Sequence, residues 1–265
     1  MLLAVDIGNT NIVVAIFNDE EIVKEWRIFS DTRRTGDEYF SILCSLLKDT
    51  GILSVEISSS VLSSVVPLLI GPFISAIQQL TKKKPLLLNP AIYECLPVHI
   101  PPTAAHSIGT DLLCNALEAW ERFHGAAIVV DFGTALTFIT VDDKAHIHGY
   151  AIAPGIGTSL LALTQGTAQL PSVPLEAPPS SLGKNTVHAM QSGIVLGALG
   201  MVESMVARMK RDLSAGSGVP ESAIHVMATG GLNSVLRPLT DIFEVVDKYH
   251  TLKGLRRVAL YCSDP

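Results

Sequence analysis

The chain has 265 residues, of which 48% are hydrophobic and 17% are charged, with a net charge of −6 and an isoelectric point near 5.7. That length and apolar content can bury a large core and fit two domains better than one. The acidic balance, with no basic stretch interleaved with aromatic residues, excludes attraction to a phosphate backbone, so no nucleic-acid partner is predicted.

The cysteines and the first residues indicate the compartment. Cys44, Cys95, Cys114 and Cys262 form no Cys-x-x-Cys pair, which favours reduced thiols over a disulfide framework or a zinc site. Residues 1–5 lead directly into Asp6 without the basic and apolar regions of an export signal. A cytoplasmic protein whose chain begins in a strand is therefore predicted.

The first half begins with a strand triplet. An apolar run at residues 2–5 ends in Asp6-Ile7-Gly8-Asn9-Thr10-Asn11, and β-branched residues resume at 12–17. A polar turn and a third strand at 21–28 follow. Apolar spacing then predicts the remaining elements: helices at 37–50, 69–80 and 111–123, and a strand at 55–58.

The second half repeats the triplet. The run at 127–130 ends in Asp131-Phe132-Gly133-Thr134, and strands are predicted at 137–141 and 146–152. A strand at 225–228 and helices at 186–213 and 231–239 complete the prediction. The echo predicts an α/β fold of two duplicated domains, at 1–117 and 118–265, and this organisation resembles the actin-like ATPase (ribonuclease H-like) fold, which has a nucleotide cleft between its domains.

One segment invites a membrane interpretation. Residues 189–202 carry no charge and place Gly193 and Gly197 at the spacing of packed membrane helices. Because a span needs about 20 apolar residues, this stretch is too short, and close packing on another helix or subunit is predicted instead. We therefore predict no membrane partner.

The repeated turn carries the chemistry of phosphate binding. Glycine lets backbone N–H groups approach a polyphosphate, and an adjacent carboxylate can hold hydrated magnesium. One Asp-x-Gly turn is weak evidence, but Asp131 repeats Asp6 after 125 positions, again behind an apolar strand. A third motif, Gly230-Gly231 between a strand and a helix, fits contact with adenosine. Together they predict an ATP site.

Two other nucleotide-binding motifs are excluded. The segment Gly183-Lys184-Asn185-Thr186 lacks the earlier glycine of a P-loop and follows a proline-rich loop rather than a strand. Gly155-Ile156-Gly157 starts like a dinucleotide fingerprint, but Leu160 stands where the third glycine belongs.

At this level of detail the chain resembles the type III pantothenate kinases, within the superfamily of acetate and sugar kinases, heat-shock chaperones and actin. Besides the motifs above, the matching segments stand in family order: Arg34-Thr35-Gly36-Asp37-Glu38-Tyr39, Ser64-Val65-Val66-Pro67, Ile152-Ala153-Pro154-Gly155-Ile156, Leu170-Pro171 and Gln191-Ser192-Gly193. The resemblance covers nearly the whole chain. It implies an ATP-dependent phosphotransferase that converts pantothenate to 4'-phosphopantothenate, the first step of coenzyme A synthesis.

The resemblance also implies cofactors, assembly and site residues. They are ATP, magnesium held through water by Asp6, potassium or ammonium held by Asp131, and a homodimer. Asp111 is implied to be the general base that accepts the proton of the substrate hydroxyl. ATP is implied to contact Asp6, Ile7, Gly8, Asn9, Thr10, Asn11, Ile12, Val13, Thr134, Gly230 and Gly231. Pantothenate is implied to contact Gly109, Thr110, Asp111, Leu112 and, from the neighbouring subunit, Thr186.

The chain departs from the family at the residue after the base, where the family has an arginine. Leu112 replaces that arginine, a natural partner for a substrate carboxylate, and Pro102 replaces a tyrosine nine residues before the base. Either His99, His106 or Lys184 recognises the carboxylate, or the substrate has changed or been lost. The alternatives are a non-catalytic nucleotide-binding or regulatory homologue, and a kinase of another small hydroxy acid.

Two histidines form the last candidate pair. His146 and His148 share one face of a predicted strand and could bind a metal, but an exposed sheet face is the preferred interpretation.

Overall fold

A computed structural model describes residues 1–231 and 233–262. The chain divides into two compact units. The first contains residues 1–97, 102–118 and the chain from Thr251 onward, and the second contains residues 98–101 and 119–250. The domain boundary at 117/118 stays a prediction.

The first unit is built on a five-stranded sheet of order β3-β2-β1-β4-β5. Strands β1 to β3 are antiparallel, and β4 and β5 continue the sheet in parallel with β1. The strands are β1 (Leu2–Ile7), β2 (Asn11–Asn18), β3 (Glu21–Phe29), β4 (Ser59–Ser64) and β5 (Leu86–Leu87). The first helices are α1 (Gly36–Lys48), α2 (Pro67–Thr81) and α3 (Thr110–Phe123). Apolar side chains of the strands form one buried cluster with α1 and α2.

The second unit repeats that order, as β8-β7-β6-β9-β10. The strands are β6 (Ala127–Phe132), β7 (Ala135–Val141), β8 (Ile147–Pro154), β9 (His225–Thr229) and β10 (Val245–Val246). The later helices are α4 (Ile156–Gln165), α5 (Thr186–Gln191), α6 (Gly197–Ser217), α7 (Asn233–Leu236) and α8 (His250–Cys262). A π turn at Ser192–Leu196 joins α5 to α6. The predicted strand triplets are therefore confirmed in both halves.

Several predicted boundaries differ from the structure. The strand predicted at 55–58 is wrong, since Ser54–Glu56 is a 3₁₀ turn and the strand is Ser59–Ser64. Four serines hide this strand from a propensity argument, and its pairing with β1 overrides that preference. The helix predicted at 231–239 shortens to α7 and a 3₁₀ turn at Arg237–Leu239, because Pro238 cannot continue the helical hydrogen bonds.

The apolar segment at 189–202 belongs to a continuous helix from Thr186 to Ser217. By length and composition this helix could cross a membrane, and 33% of its most apolar window is buried. Helices packed in the core of a soluble domain pass the same test. This one contributes Val195, Ala198, Val202, Val206 and Leu213 to the core of the second unit.

The family-like segment around Thr35 begins helix α1 with a capping box. The Thr35 hydroxyl accepts a hydrogen bond from the Glu38 N–H (3.4 Å), and the Glu38 carboxylate accepts one from the Thr35 N–H (2.7 Å). Thr35→Ala is expected to lower the free energy of unfolding by about 1 kcal/mol, measured by urea denaturation. Thr35→Ser, which keeps the hydroxyl, is the control, and equal losses in both variants would contradict the capping role.

Candidate active site

The first predicted phosphate turn joins β1 to β2. The Gly8 N–H donates to the Asn11 carbonyl (3.0 Å), and the Ser30 hydroxyl donates to the Gly8 carbonyl (2.6 Å). Asn9, Thr10 and Asn11 are exposed at the tip. Their backbone and side-chain donors can therefore reach an anion.

The residues predicted to bind ATP around this turn differ in how deeply they are buried. Ile7 and Ile12 lie in the apolar core with no exposed surface, so only their backbone is available to a ligand. Asp6 and Val13 are partly buried. The Asp6 carboxylate accepts a hydrogen bond from the Ser63 hydroxyl (2.9 Å), which fixes its orientation at the end of β1.

The predicted base lies at the first turn of α3, beside the end of the first sheet. Asp111 Oδ1 accepts a hydrogen bond from the Leu112 N–H (2.8 Å). Burial raises the pKa of Asp111, and hydrogen bonds from the backbone of Leu112 and of Asp111 itself only partly oppose it. A Cβ on Gly109 would collide with Asp111 Oδ1, so glycine there gives the carboxylate its space. A carboxylate with a raised pKa is suited to accepting a proton near neutral pH.

The side chains after Asp111 point into the protein. Leu112 is 3% exposed and Cys114 is fully buried. Burial, and then the charges of Asp6 and Asp111, raise the pKa of Cys114 well above its usual range. Cys114 therefore remains a neutral thiol near both carboxylates.

The second Asp-x-Gly turn joins β6 to β7 and repeats the first. The Gly133 N–H donates to the Ala135 carbonyl (3.1 Å). The Thr134 carbonyl accepts from the Gly155 N–H (3.0 Å) and from the Thr158 hydroxyl (2.6 Å). Thr134 itself is exposed at the tip. The start of α4 therefore supports this turn.

The glycine pair after β9 packs against the second turn. Gly230 has a φ of +86°, and a Cβ there would lie 2.5 Å from Asp131 Oδ1 and 2.7 Å from the backbone of Phe132. Gly231 is exposed. Leu232 of the same motif lies outside the described residues. The structure thus brings Asp131, Thr134 and Gly230, predicted from distant segments, into one region of the second unit.

Thr186 is the first residue of α5, where Asn185 caps the helix by accepting from the His188 N–H (2.9 Å). Thr186 and Lys184 are exposed and line a groove with apolar side chains, among them Leu170 and Met190. The groove therefore offers a hydroxyl and a cation beside apolar surface.

Three of the four other candidate histidines are explained by local contacts. The His99 ring stacks on that of His146 at 4.7 Å, and the two residues form a short parallel bridge. His146 and His148 both contact the buried carboxylate of Asp142 and are exposed at the sheet face, as predicted. His106 is exposed in the turn before α3.

Sequence reasoning missed the hydroxyls and the glycine that support the two turns. Ser30, Ser63, Thr158 and Gly155 each bond to a turn residue or to Asp6. Ser63 reaches a residue 57 positions earlier, so no local pattern marks it. Its strand, β4, is rich in serine and gives no clear strand pattern either.

Comparison with solved structures identifies the fold. A Baf family protein from Campylobacter jejuni superimposes with a TM-score of 0.58 at 17% identity, covering 97% of both chains. A protein from Sinorhizobium meliloti described as a 2-dehydro-3-deoxygalactonokinase gives 0.56 at 13%, covering 98% of both. Identities this low show the fold alone. The duplicated actin-like ATPase fold is thereby confirmed.

Sequence relatives identify the family. Residues 2–208 match the family model for type III pantothenate kinase. Type III pantothenate kinases of Citrifermentans bemidjiense and Moorella thermoacetica are 39% and 41% identical, over 97% of this chain and 97% and 98% of theirs. The chain belongs to the type III pantothenate kinase family, which confirms the resemblance. The family implies an ATP-dependent kinase.

Proposed function

We propose that this protein transfers the γ-phosphoryl group of ATP to the primary hydroxyl of pantothenate, giving 4'-phosphopantothenate for coenzyme A synthesis. The observation that carries the proposal is the partly buried Asp111, whose raised pKa suits a general base at the start of α3. Membership of the family supplies the acceptor.

In the proposed reaction Asp111 accepts the hydroxyl proton on a carboxylate oxygen and aligns the hydroxyl oxygen. That oxygen bonds to the γ-phosphorus, and the bond from the γ-phosphorus to the bridging oxygen breaks to release ADP. The transition state is loose, so most of the catalysis comes from positioning and charge stabilisation. The donors of residues 8–11 and Thr134 are proposed to bind the phosphates, and Gly230 and Gly231 the adenosine.

Two cations are proposed on carboxylates that fit them. The single carboxylate of Asp6, oriented by Ser63, fits magnesium that keeps most of its waters. When bound, magnesium would neutralise part of the negative charge on the β- and γ-phosphates. The Asp131 carboxylate lies close to the backbone of Gly230 at the end of β6 and is proposed to hold a potassium or ammonium ion.

Pantothenate recognition is proposed to use the groove at the start of α5. Thr186 is proposed to contact pantothenate from the neighbouring subunit of a cytoplasmic homodimer. Of the three side chains that could replace the family's arginine, Lys184 lines the same groove as Thr186 and is proposed to bind the substrate carboxylate. Leu112 itself is apolar and buried, so the side chain at that position cannot bind a carboxylate.

The decisive assay couples ADP release to a spectroscopic signal, with ATP, magnesium and potassium, while pantothenate is scanned to high concentration. Saturable turnover supports the proposal. ATP binding without turnover would favour a non-catalytic homologue, unless a panel of other small hydroxy acids restores ADP release. Replacing potassium by sodium, at equal ionic strength, tests the monovalent cation.

Subunit mixing tests the dimeric site. Asp111→Asn and Thr186→Ala are each expected to be inactive as homodimers. Co-expressed, they form heterodimers in which one site combines an intact Asp111 with an intact Thr186 from the other chain. Recovery of activity supports a site shared between subunits, and its absence in isolated heterodimers contradicts that arrangement.

A further inference from the structure

A buried serine connects the proposed phosphate-side carboxylate to the helix that carries the base. Ser63 Oγ lies 2.9 Å from Asp6 Oδ1 and 2.9 Å from Thr110 Oγ1. Ser63 has no exposed surface. A hydroxyl has one proton, so Ser63 donates to the carboxylate and the Thr110 hydroxyl donates to Ser63. Asp111 is the next residue after Thr110.

The sheet itself places these groups together. In the parallel pairing of β1 with β4, Asp6 lies opposite Ser63. Their neighbours Val5 and Leu62 belong to the apolar cluster that packs with α1 and α2. Since alternate residues of a strand face opposite sides, Asp6 and Ser63 face the other side, where Ser63 contacts Thr110 of α3.

The second unit has a hydroxyl residue at the corresponding position. In the parallel pairing of β6 with β9, Asp131 lies opposite Thr229, which is 1% exposed. Both halves therefore place a buried hydroxyl residue opposite the aspartate of the Asp-x-Gly turn. A hydroxyl at only one of the two positions would suggest an incidental contact, whereas the repetition links it to the turn.

We propose that Ser63 is a positioning residue, which holds the Asp6 carboxylate and the Thr110–Asp111 turn in one fixed arrangement for phosphoryl transfer. The inference rests on the roles proposed above for Asp6 and Asp111. Ser63 touches neither substrate in this account and acts through those two residues.

The chain offers a matched control on the same strand. Ser60 is 6% exposed, and its hydroxyl has no hydrogen-bond partner within the described part of the chain. Ser60→Ala therefore removes the same atom from β4 without removing a hydrogen bond. We expect this variant to keep the wild-type kcat and KM.

Ser63→Ala is expected to lower kcat by about 10- to 100-fold, because small displacements of reacting groups cost rates of that order. The KM for ATP should change less than about 3-fold, since the N–H donors of the phosphate turn remain. Ser63→Thr, which keeps the hydroxyl, should recover most of kcat. A kcat within 2-fold of wild type in Ser63→Ala, or failure of Ser63→Thr to recover despite folding, would overturn the inference.

A second readout does not depend on turnover. The methyl order parameter of Thr110, measured by NMR relaxation, should fall in Ser63→Ala and not in Ser60→Ala. An unchanged value would overturn the inference. If the wild type does not phosphorylate pantothenate, the proposed function fails, and the Thr110 measurement still decides the role of Ser63.

Discussion

Asp111→Asn is expected to lower kcat with pantothenate by about 10²- to 10⁴-fold, the usual contribution of a general base. Asparagine keeps the shape and can still accept from the Leu112 N–H, so the binding of ADP should be preserved. Asp37→Asn is the matched control, since Asp37 also lies in the first turn of a helix and is exposed. The comparison uses steady-state rates and calorimetric nucleotide binding.

The Asp111→Asn variant should be at least as stable as the wild type. Burial raises the pKa of Asp111 in the folded protein, so the folded state binds this proton more readily than the unfolded chain. The stability contributed by Asp111 therefore falls as pH rises through that pKa, and above it the folded protein carries the full cost of the buried charge. Asparagine carries no charge and avoids that cost. A melting temperature at pH 7 no lower than that of the wild type is expected.

The raised pKa of Asp111 also predicts how kcat depends on pH. Asp111 must be deprotonated to accept the substrate proton, so kcat should fall on the acid side at a higher pH than an ordinary aspartate would give. If Asp111→Asn kept turnover within about 3-fold of wild type, or if ADP binding were lost with it, the assignment of Asp111 as base would be contradicted.

Gly230→Ala should destabilise the second unit and weaken nucleotide binding. Alanine at the φ of +86° costs about 1–2 kcal/mol. The added Cβ would also lie 2.5 Å from Asp131 Oδ1, and displacing the crowded groups costs about 1–3 kcal/mol more. Because Asp131 must move, we expect any stimulation by potassium to fall as well. Urea denaturation and calorimetry with ADP measure these effects.

Gly218→Ala isolates the conformational part of that loss. Gly218 ends α6 with a φ of +81°, and a Cβ there meets no heavy atom within 4 Å. The difference between the two variants therefore measures the crowding around Asp131. Equal losses of stability, with nucleotide affinity retained in both, would show that Gly230 has no special relation to the second turn.

The repeated turns could be predicted because their signals are local. Apolar runs end in Asp6 and Asp131, glycine follows two residues later, and β-branched residues resume, all within 20 positions. Helix α8 is absent from the predicted elements, although Leu252, Leu255 and Val258 stand at helical spacing. Helix α4 is also absent from the predicted elements, because Gly155 and Gly157 weaken the helical pattern at its start.

The contacts that fix the site could not be predicted in the same way. Ser63 meets Asp6 and Thr110 from 57 and 47 positions away, and that meeting depends on the register of two parallel strands. The burial that raises the pKa of Asp111 likewise comes from packing of distant segments. Sequence patterns identify which side chains are chemically suitable, and tertiary packing determines their neighbours and protonation.

The discontinuity of the first unit bears on how the protein is made. Helix α8 supplies this unit with buried side chains at Leu252, Leu255 and Val258, and Gly254 allows it to approach the backbone of Cys114. A ribosome synthesises these residues after the strands of both sheets. The second unit is almost continuous and can therefore fold before α8 is synthesised, whereas the first unit is complete only after α8 has emerged.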